Sequence, residues 1–156
     1  MRRSWEEYKF GFGDPDGDYY WLGNDLLHEL TVSGRYKLRF TLQSRSFPSS
    51  WYYAIYSTFF ILPEEHNYTL HFQGFSGNAS YNALGSQNGR MFSTHDRDND
   101  QNQVLNCAER VGGGFWYWDY CGGCLVNGDR KTGNFFWVRL PGGRHLQSSQ
   151  MWLECK

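Results

Sequence analysis

Asp96, Asp98 and Asp100 stand at alternate positions in the stretch from Phe92 to Asp100, with only Arg97 among them. One cation cannot neutralise three carboxylates, so a loop that gathers them raises its own electrostatic energy unless an ion sits among them. Hard oxygen donors at this spacing suit calcium, which accepts carboxylates, backbone carbonyls and water in irregular geometry. An EF-hand is excluded. Its sixth loop position would be Gln101 where a turn glycine is needed, and its twelfth Cys107 where a bidentate glutamate is needed. The competing reading is a solvated acidic turn capped by Asn99 and Asn106.

The chain before this loop carries regular patterns. Ser4 followed by Glu7 is a capping box, so a short helix opens at Trp5 and is stopped by Gly11 and Gly13. Asp14 to Asp18, with Pro15 and Gly17, reads as a turn rather than a cation site. Asn24 is the expected N-cap of a helix from Asp25 to about Leu30, ended by Thr31 and Gly34. His28 lies inside it without the second histidine of a zinc-protease helix, which favours core packing or a buried hydrogen bond. Gly34 to Leu42 alternates, with Tyr36, Leu38, Phe40 and Leu42 on one face and Arg35, Lys37, Arg39 and Thr41 on the other, the pattern of a half-buried strand. Trp51–Leu62 and Asn67–Phe72 read as two further strands joined through Pro63 to His66. From Gly74 to Asn106 periodicity fades into Gly, Asn, Ser and Asp. An ordered segment of that length without repeats is usually functional.

At 156 residues the chain supports one core rather than two. A formal net charge of −1 with no basic stripe argues against nucleic acid as a partner. No apolar run reaches the length of a bilayer span. No nucleophile elbow or close pair of histidines points to catalysis, because Gly74-Phe75-Ser76-Gly77 lacks the required spacing. Cys107, Cys121, Cys124 and Cys155 admit three pairings. Cys121 to Cys124 lacks the strand-to-helix context of a redox motif, and the four lack the second close pair of a zinc site. Sequons at Asn67 and Asn78 are compatible with secretion and with disulfides. The basic start at Arg2 and Arg3 is not followed by the apolar region of a signal peptide.

Phe92-Ser93-Thr94 with its aspartates, then Asn106-Cys107-Ala108, an aromatic run, Cys121 and Asn127-Gly128, resembles the C-terminal globular domain of fibrinogen, shared by ficolins, tachylectins and angiopoietins. Trp5-Glu6-Glu7-Tyr8, Gly11-Phe12-Gly13, Trp21-Leu22-Gly23-Asn24 and His28 to Thr31 resemble the family's first block. Tyr53 to Tyr56, Tyr68 to Leu70 and Gly74 to Gly77 resemble its middle, and Asn134 to Trp137 with Gln150-Met151 its end. The resemblance implies an α+β fold: a central twisted antiparallel sheet with short helices in residues 1–75, then a long irregular calcium- and ligand-binding part in residues 76–156. It also implies that an N-terminal lobe normally precedes Trp5, so residues 1–156 read as a partial domain. Family members usually trimerise through upstream coiled coils, and oligomerisation would then depend on regions outside this chain.

Carried over residue by residue, the resemblance places calcium between the carboxylates of Asp98 and Asp100 and the carbonyls of Asn102 and Val104, with Asp96 in an outer shell. The segment from Gln101 to Asn106 is one residue longer than usual. Cys107–Cys121 matches the family's disulfide; Cys124 and Cys155 have no counterpart and are expected to pair with each other. A ligand pocket for acetylated sugars or amines is expected beside the metal, drawing on Tyr117, Trp118, Tyr120 and Gly122. Gly122 stands where acetyl binders usually carry histidine, Leu125-Val126-Asn127-Gly128 replaces the usual Asn-Leu-Asn-Gly, and Arg130 replaces a common aromatic. Angiopoietin-like members also carry glycine after that cysteine and bind protein receptors. For Trp116 and Trp118, a binding surface and a core position are both open. Two functions follow: a secreted, calcium-dependent lectin, plausible in innate defence, or a protein-binding module of angiopoietin or fibrin type.

Overall fold

A computed structural model describes residues 2–156. Helix α1, Trp5–Phe10, opens with the expected capping box, and Gly11 ends it at φ 92°. The short strands β1, Phe12–Gly13, and β2, Tyr20–Trp21, pair across the Asp14–Asp18 turn, where the Asp14 carboxylate accepts from the Asp16 amide at 3.0 Å. Helix α2 covers Asn24–Thr31, and its N-cap is Gly23 rather than Asn24. The Asn24 side chain is committed elsewhere, accepting a 3.0 Å hydrogen bond from the Trp21 indole, so Asn24 sits inside the helix. His28 places Nδ1 2.7 Å from the Ile61 carbonyl, a partly buried form of the hydrogen bond expected of it.

The central sheet is antiparallel with strand order β10-β3-β4-β5. Strand β3, Tyr36–Ser44, buries Leu38, Phe40 and Leu42, and β4, Trp51–Ile61, buries Ala54 and Tyr56 beside them. The inward parity of β4 then shifts to Phe59 and Ile61, so one extended strand serves two stretches of core. Strand β5 covers Leu70–Gly77, starting later and ending later than the expected Asn67–Phe72. Asn67 and Tyr68 adopt φ of 50° and 49°, a left-handed pair that turns the chain before pairing can begin.

Strand β10, Leu146–Cys155, is the element the sequence does not announce. Its first half is polar after the buried Leu146, and the partly buried Met151 and Leu153 pack on the core opposite Phe40 and Leu38. The division at residue 75 is therefore not a division in space: β10 returns the chain's last segment to the sheet. Between β5 and β10 lie β6, Phe92–Ser93, α3, Cys107–Val111, β7, Phe115–Trp116, β8, Cys124–Leu125, and β9, Phe136–Trp137. These pieces are too short to stand alone, and aromatic packing holds them. Phe92 lies edge-on to Trp116 with centroids 5.0 Å apart, and Trp137 meets Phe40 of the sheet at 5.2 Å. Trp116 is core: fully buried, it donates from its indole to the Tyr68 carbonyl at 2.7 Å.

Candidate functional site

The acidic loop is folded by its asparagines. Thr94 and Arg97 exchange backbone hydrogen bonds and close a tight turn. Asn99 donates to the Phe92 carbonyl at 2.9 Å, fixing the loop's first half. Asn106 caps α3 through Glu109 and reaches back to the carbonyls of Thr94 and His95, fixing its far end. Asp96 is engaged by other partners than its companions. It accepts from the Trp5 amide at 2.9 Å and the Thr94 hydroxyl at 2.7 Å, so it anchors α1. Burial works against the Asp96 carboxylate, but those two donors, its own amide and the His95 charge together hold it below its ordinary range.

Asp98 and Asp100 stay together. Asp98 accepts from the Asp100 amide at 3.1 Å, while Asp100 accepts from the amides of Asn102 and Cys107, each at 2.8 Å. Burial, with the Asp98 charge adding to it, raises the Asp100 carboxyl despite those amides. Arg97 offers no relief, because it lies over the Trp5 ring and binds Asn67 and Glu64. The Asn102 side chain accepts from the amides of Val104 and Leu105 and donates to the Asp119 carbonyl at 2.7 Å, wrapping the loop around itself. The backbone carbonyls of Asn102 and Val104 accept no hydrogen bond among the described residues. Two adjacent carboxylates without a cation and two free carbonyls fit a hard divalent ion in donor chemistry. No cluster of three or more acidic, histidine or cysteine side chains that could hold a metal occurs among the described residues, so carbonyls and water must complete any such sphere.

The Cys107–Cys121 disulfide, with Cα atoms 5.4 Å apart, ties this loop to the aromatic segment. Cys124 and Cys155 do not pair. Cys124 is buried in β8 with its sulfur 3.2 Å from the Gln87 side-chain oxygen Oε1, and Cys155 is exposed at the end of edge strand β10. Even parity could not reveal this, since pairing depends on where the strands lie.

Trp118 and Tyr120 form a ridge, edge to face at 5.3 Å, with Tyr120 79% exposed. Tyr117 does not join them. It is fully buried and its hydroxyl donates to the Gly113 carbonyl, so alternation turns it into the core. An open depression of about 800 Å³ lies on one side of the ridge, between it and residues 100–105. A smaller one of about 290 Å³ lies on the other, floored by Gly122 and Gly123 and walled by Tyr81, Ser86 and Val138. Gly122 is held at φ 90°, where an added Cβ would sit 3.0 Å from the Gln87 amide nitrogen. A side chain there would meet both backbone strain and Gln87.

Of the five non-glycine residues at positive φ among those described, Ser80, Cys121 and Arg139 each adjoin a residue lining the smaller depression. Such backbone costs energy and concentrates at functional surfaces. Tyr81, Val138 and Arg139 are not legible as site residues in the sequence. They arrive through long-range hydrogen bonds, from the Trp137 indole to the Tyr81 carbonyl at 3.2 Å and from the Val138 amide to the Gly123 carbonyl at 2.9 Å.

The sequons differ in setting. Asn78 is exposed and its carbonyl oxygen accepts from the Tyr53 amide, whereas Asn67 is held by Arg97 and Met91.

A sheet flanked by short helices, with a disulfide-braced acidic loop beside an aromatic ridge, defines a globe of the fibrinogen-like kind. The family model for fibrinogen beta and gamma chains, C-terminal globular domain, matches residues 1–153, and the chain belongs to that family of ligand-binding, non-enzymatic domains. Human angiopoietin-2 is 40% identical over 82% of this chain, which spans 25% of that protein. Techylectin-5A of Tachypleus tridentatus is 40% identical over 83% of the chain, which spans 44% of it. The fibrinogen-like globe domain of human ANGPTL6 superposes with a TM-score of 0.87 at 30% identity, covering 99% of this chain and 71% of that one. Lamprey fibrin D-dimer, solved with the peptide Gly-His-Arg-Pro-amide, gives a TM-score of 0.83 at 29% identity, covering 97% of this chain and 56% of that one. No helix among the described residues is long and apolar enough to cross a membrane.

Proposed function

We propose that this chain is a secreted, calcium-dependent recognition domain that binds glycans across the Trp118–Tyr120 ridge. The ridge carries the reading: an exposed Tyr120 and a partly exposed Trp118 between two concave surfaces offer stacking faces to sugars, with polar backbone within reach. Calcium held by Asp98 and Asp100 with the carbonyls of Asn102 and Val104 would neutralise the loop and fix one wall of the larger depression. Similarity to a techylectin agrees with this reading. Gly122 and Tyr120 supply contact through backbone and ring, while Asn78 is the better placed sequon for glycan attachment.

A glycan array with and without chelator tests the proposal. Binding should be lost in chelator and weakened by Trp118→Ala. Calcium at a hundredfold excess over its dissociation constant should stabilise the parent by about 2.7 kcal/mol. Asp98→Ala should remove that gain, and Asp16→Ala in the earlier turn should not. Equal melting curves in calcium and chelator for the parent would show that the loop is only a solvated turn.

The second reading is a protein-binding module acting on a receptor or matrix partner. Forty per cent identity to angiopoietin-2, and a glycine at position 122 that can donate no side-chain hydrogen bond, favour it. An array without signal, alongside nanomolar affinity for a protein partner, would decide for this second function. Assembly into oligomers would rest on regions outside this chain.

A further inference from the structure

None of the side chains lining the smaller depression is charged. The charge at its rim belongs to Arg139, which follows the wall residue Val138 in the turn after β9. The guanidinium lies over the ring of Tyr81, another wall residue, 4.6 Å from its centroid. Arg139 is exposed, forms no ion pair among the described residues, and donates none of the hydrogen bonds found there. Its five donors therefore face solvent in a fixed plane, with the Tyr81 ring limiting how the fork can turn.

The backbone adds to this. Arg139 sits at φ 56°, a conformation that glycine would adopt at no steric cost. Two cross-links hold the turn against that strain: the Trp137 indole on the Tyr81 carbonyl and the Val138 amide on the Gly123 carbonyl. The fold thus spends conformational energy to hold an unpaired cation over Tyr81, at the rim of a depression that Trp118 and Tyr120 also line. A planar guanidinium suits a carboxylate, which it can grip with two parallel hydrogen bonds. Aromatic walls suit the apolar face of a ring that carries that carboxylate.

We propose that Arg139 makes this depression selective for sugars bearing a carboxylate. The inference rests on the ridge being a glycan-binding surface. Calorimetry in calcium, using sialyllactose, lactose and N-acetylglucosamine as probes, tests it. The parent domain should bind sialyllactose at least about tenfold more tightly than lactose, the scale of one charged hydrogen bond. That preference should shrink as salt is raised. Arg139→Gln should lose the preference while keeping the parent's affinity for N-acetylglucosamine, and Arg139→Lys should restore only part of it, because an ammonium lacks the fork. Melting curves of both variants should match the parent, since the side chain is exposed. If N-acetylglucosamine binds and Trp118→Ala weakens it, yet the parent and Arg139→Gln bind sialyllactose equally, the role of Arg139 is refuted and the binding surface stands. If no sugar binds, the glycan surface falls and the selectivity of Arg139 with it.

Discussion

Gln87 is the buried residue on which the smaller depression rests. It is fully enclosed, and its amide nitrogen donates to the carbonyls of Trp116 at 2.9 Å and Cys124 at 3.3 Å. Its oxygen accepts from the Cys124 thiol at 3.2 Å. One side chain therefore joins the turn at Gly85–Gln87 to two short strands, β7 and β8, each paired with a single two-residue strand. Gln87→Ala leaves two buried carbonyls and a thiol with fewer partners and opens a cavity beneath Gly122. An unsatisfied buried polar group costs about 1–3 kcal/mol. Counting the short contact fully and the longer ones at the low end gives about 3–5 kcal/mol. For a domain of this size each kcal/mol shifts the midpoint by about 2–4 °C, so thermal unfolding in calcium should begin roughly 10 °C lower. Gln73→Ala, on the exposed side of β5, should stay within about 0.5 kcal/mol of the parent. A Gln87→Ala protein melting within about 2 °C of the parent would refute the argument that this side chain supports the binding surface.

Glu64 is held below its ordinary range by the Lys9 ammonium and the Trp5 indole. Its contribution is therefore complete above the ordinary value of 4.5 and lost as pH falls through its lower folded value. The stability gap between the parent and Glu64→Gln, less than about 1 kcal/mol for a side chain this exposed, should close in acid, as followed by melting curves across pH. Thiol labelling of native protein should show one fast cysteine, Cys155, and one that reacts only on unfolding, because burial both hides Cys124 and pushes its thiol up; two fast thiols, or none, would contradict this. Gly128→Ala would place a Cβ 1.5 Å from the Asn134 carbonyl oxygen. It should destabilise by about 3 kcal/mol or more, read by denaturant unfolding.

Local chemistry written along the chain determined a good deal of this protein. Ser4 and Glu7 specify the first helix, the alternation about Phe40 specifies a strand and its buried face, and Asp98 with Asp100 mark the loop whose charge has no neutraliser. These signals survive because each depends on residues a few positions apart. Where a side chain's partner is distant, the sequence is silent or misleading. Asn24 is a good cap by type, yet the Trp21 indole claims its side chain and Gly23 takes the position. Asp96 reads as one of three aspartates, yet the distant amide of Trp5 engages its carboxylate. Cys124 and Cys155 suggest a pair by number, while the fold buries one behind Gln87 and leaves the other on an edge strand. Strand β10 has no periodic apolar face to announce it, because a polar run separates Leu146 from Met151 and Leu153, the three that pack on the core. Tyr81 and Val138 become one wall, with Arg139 at its rim, only when β9 docks on the turn after β5, since two hydrogen bonds spanning long stretches of chain bring them together. The sequence determines elements and local charge; the binding surface is decided by tertiary packing, because its residues become neighbours only once the core has formed.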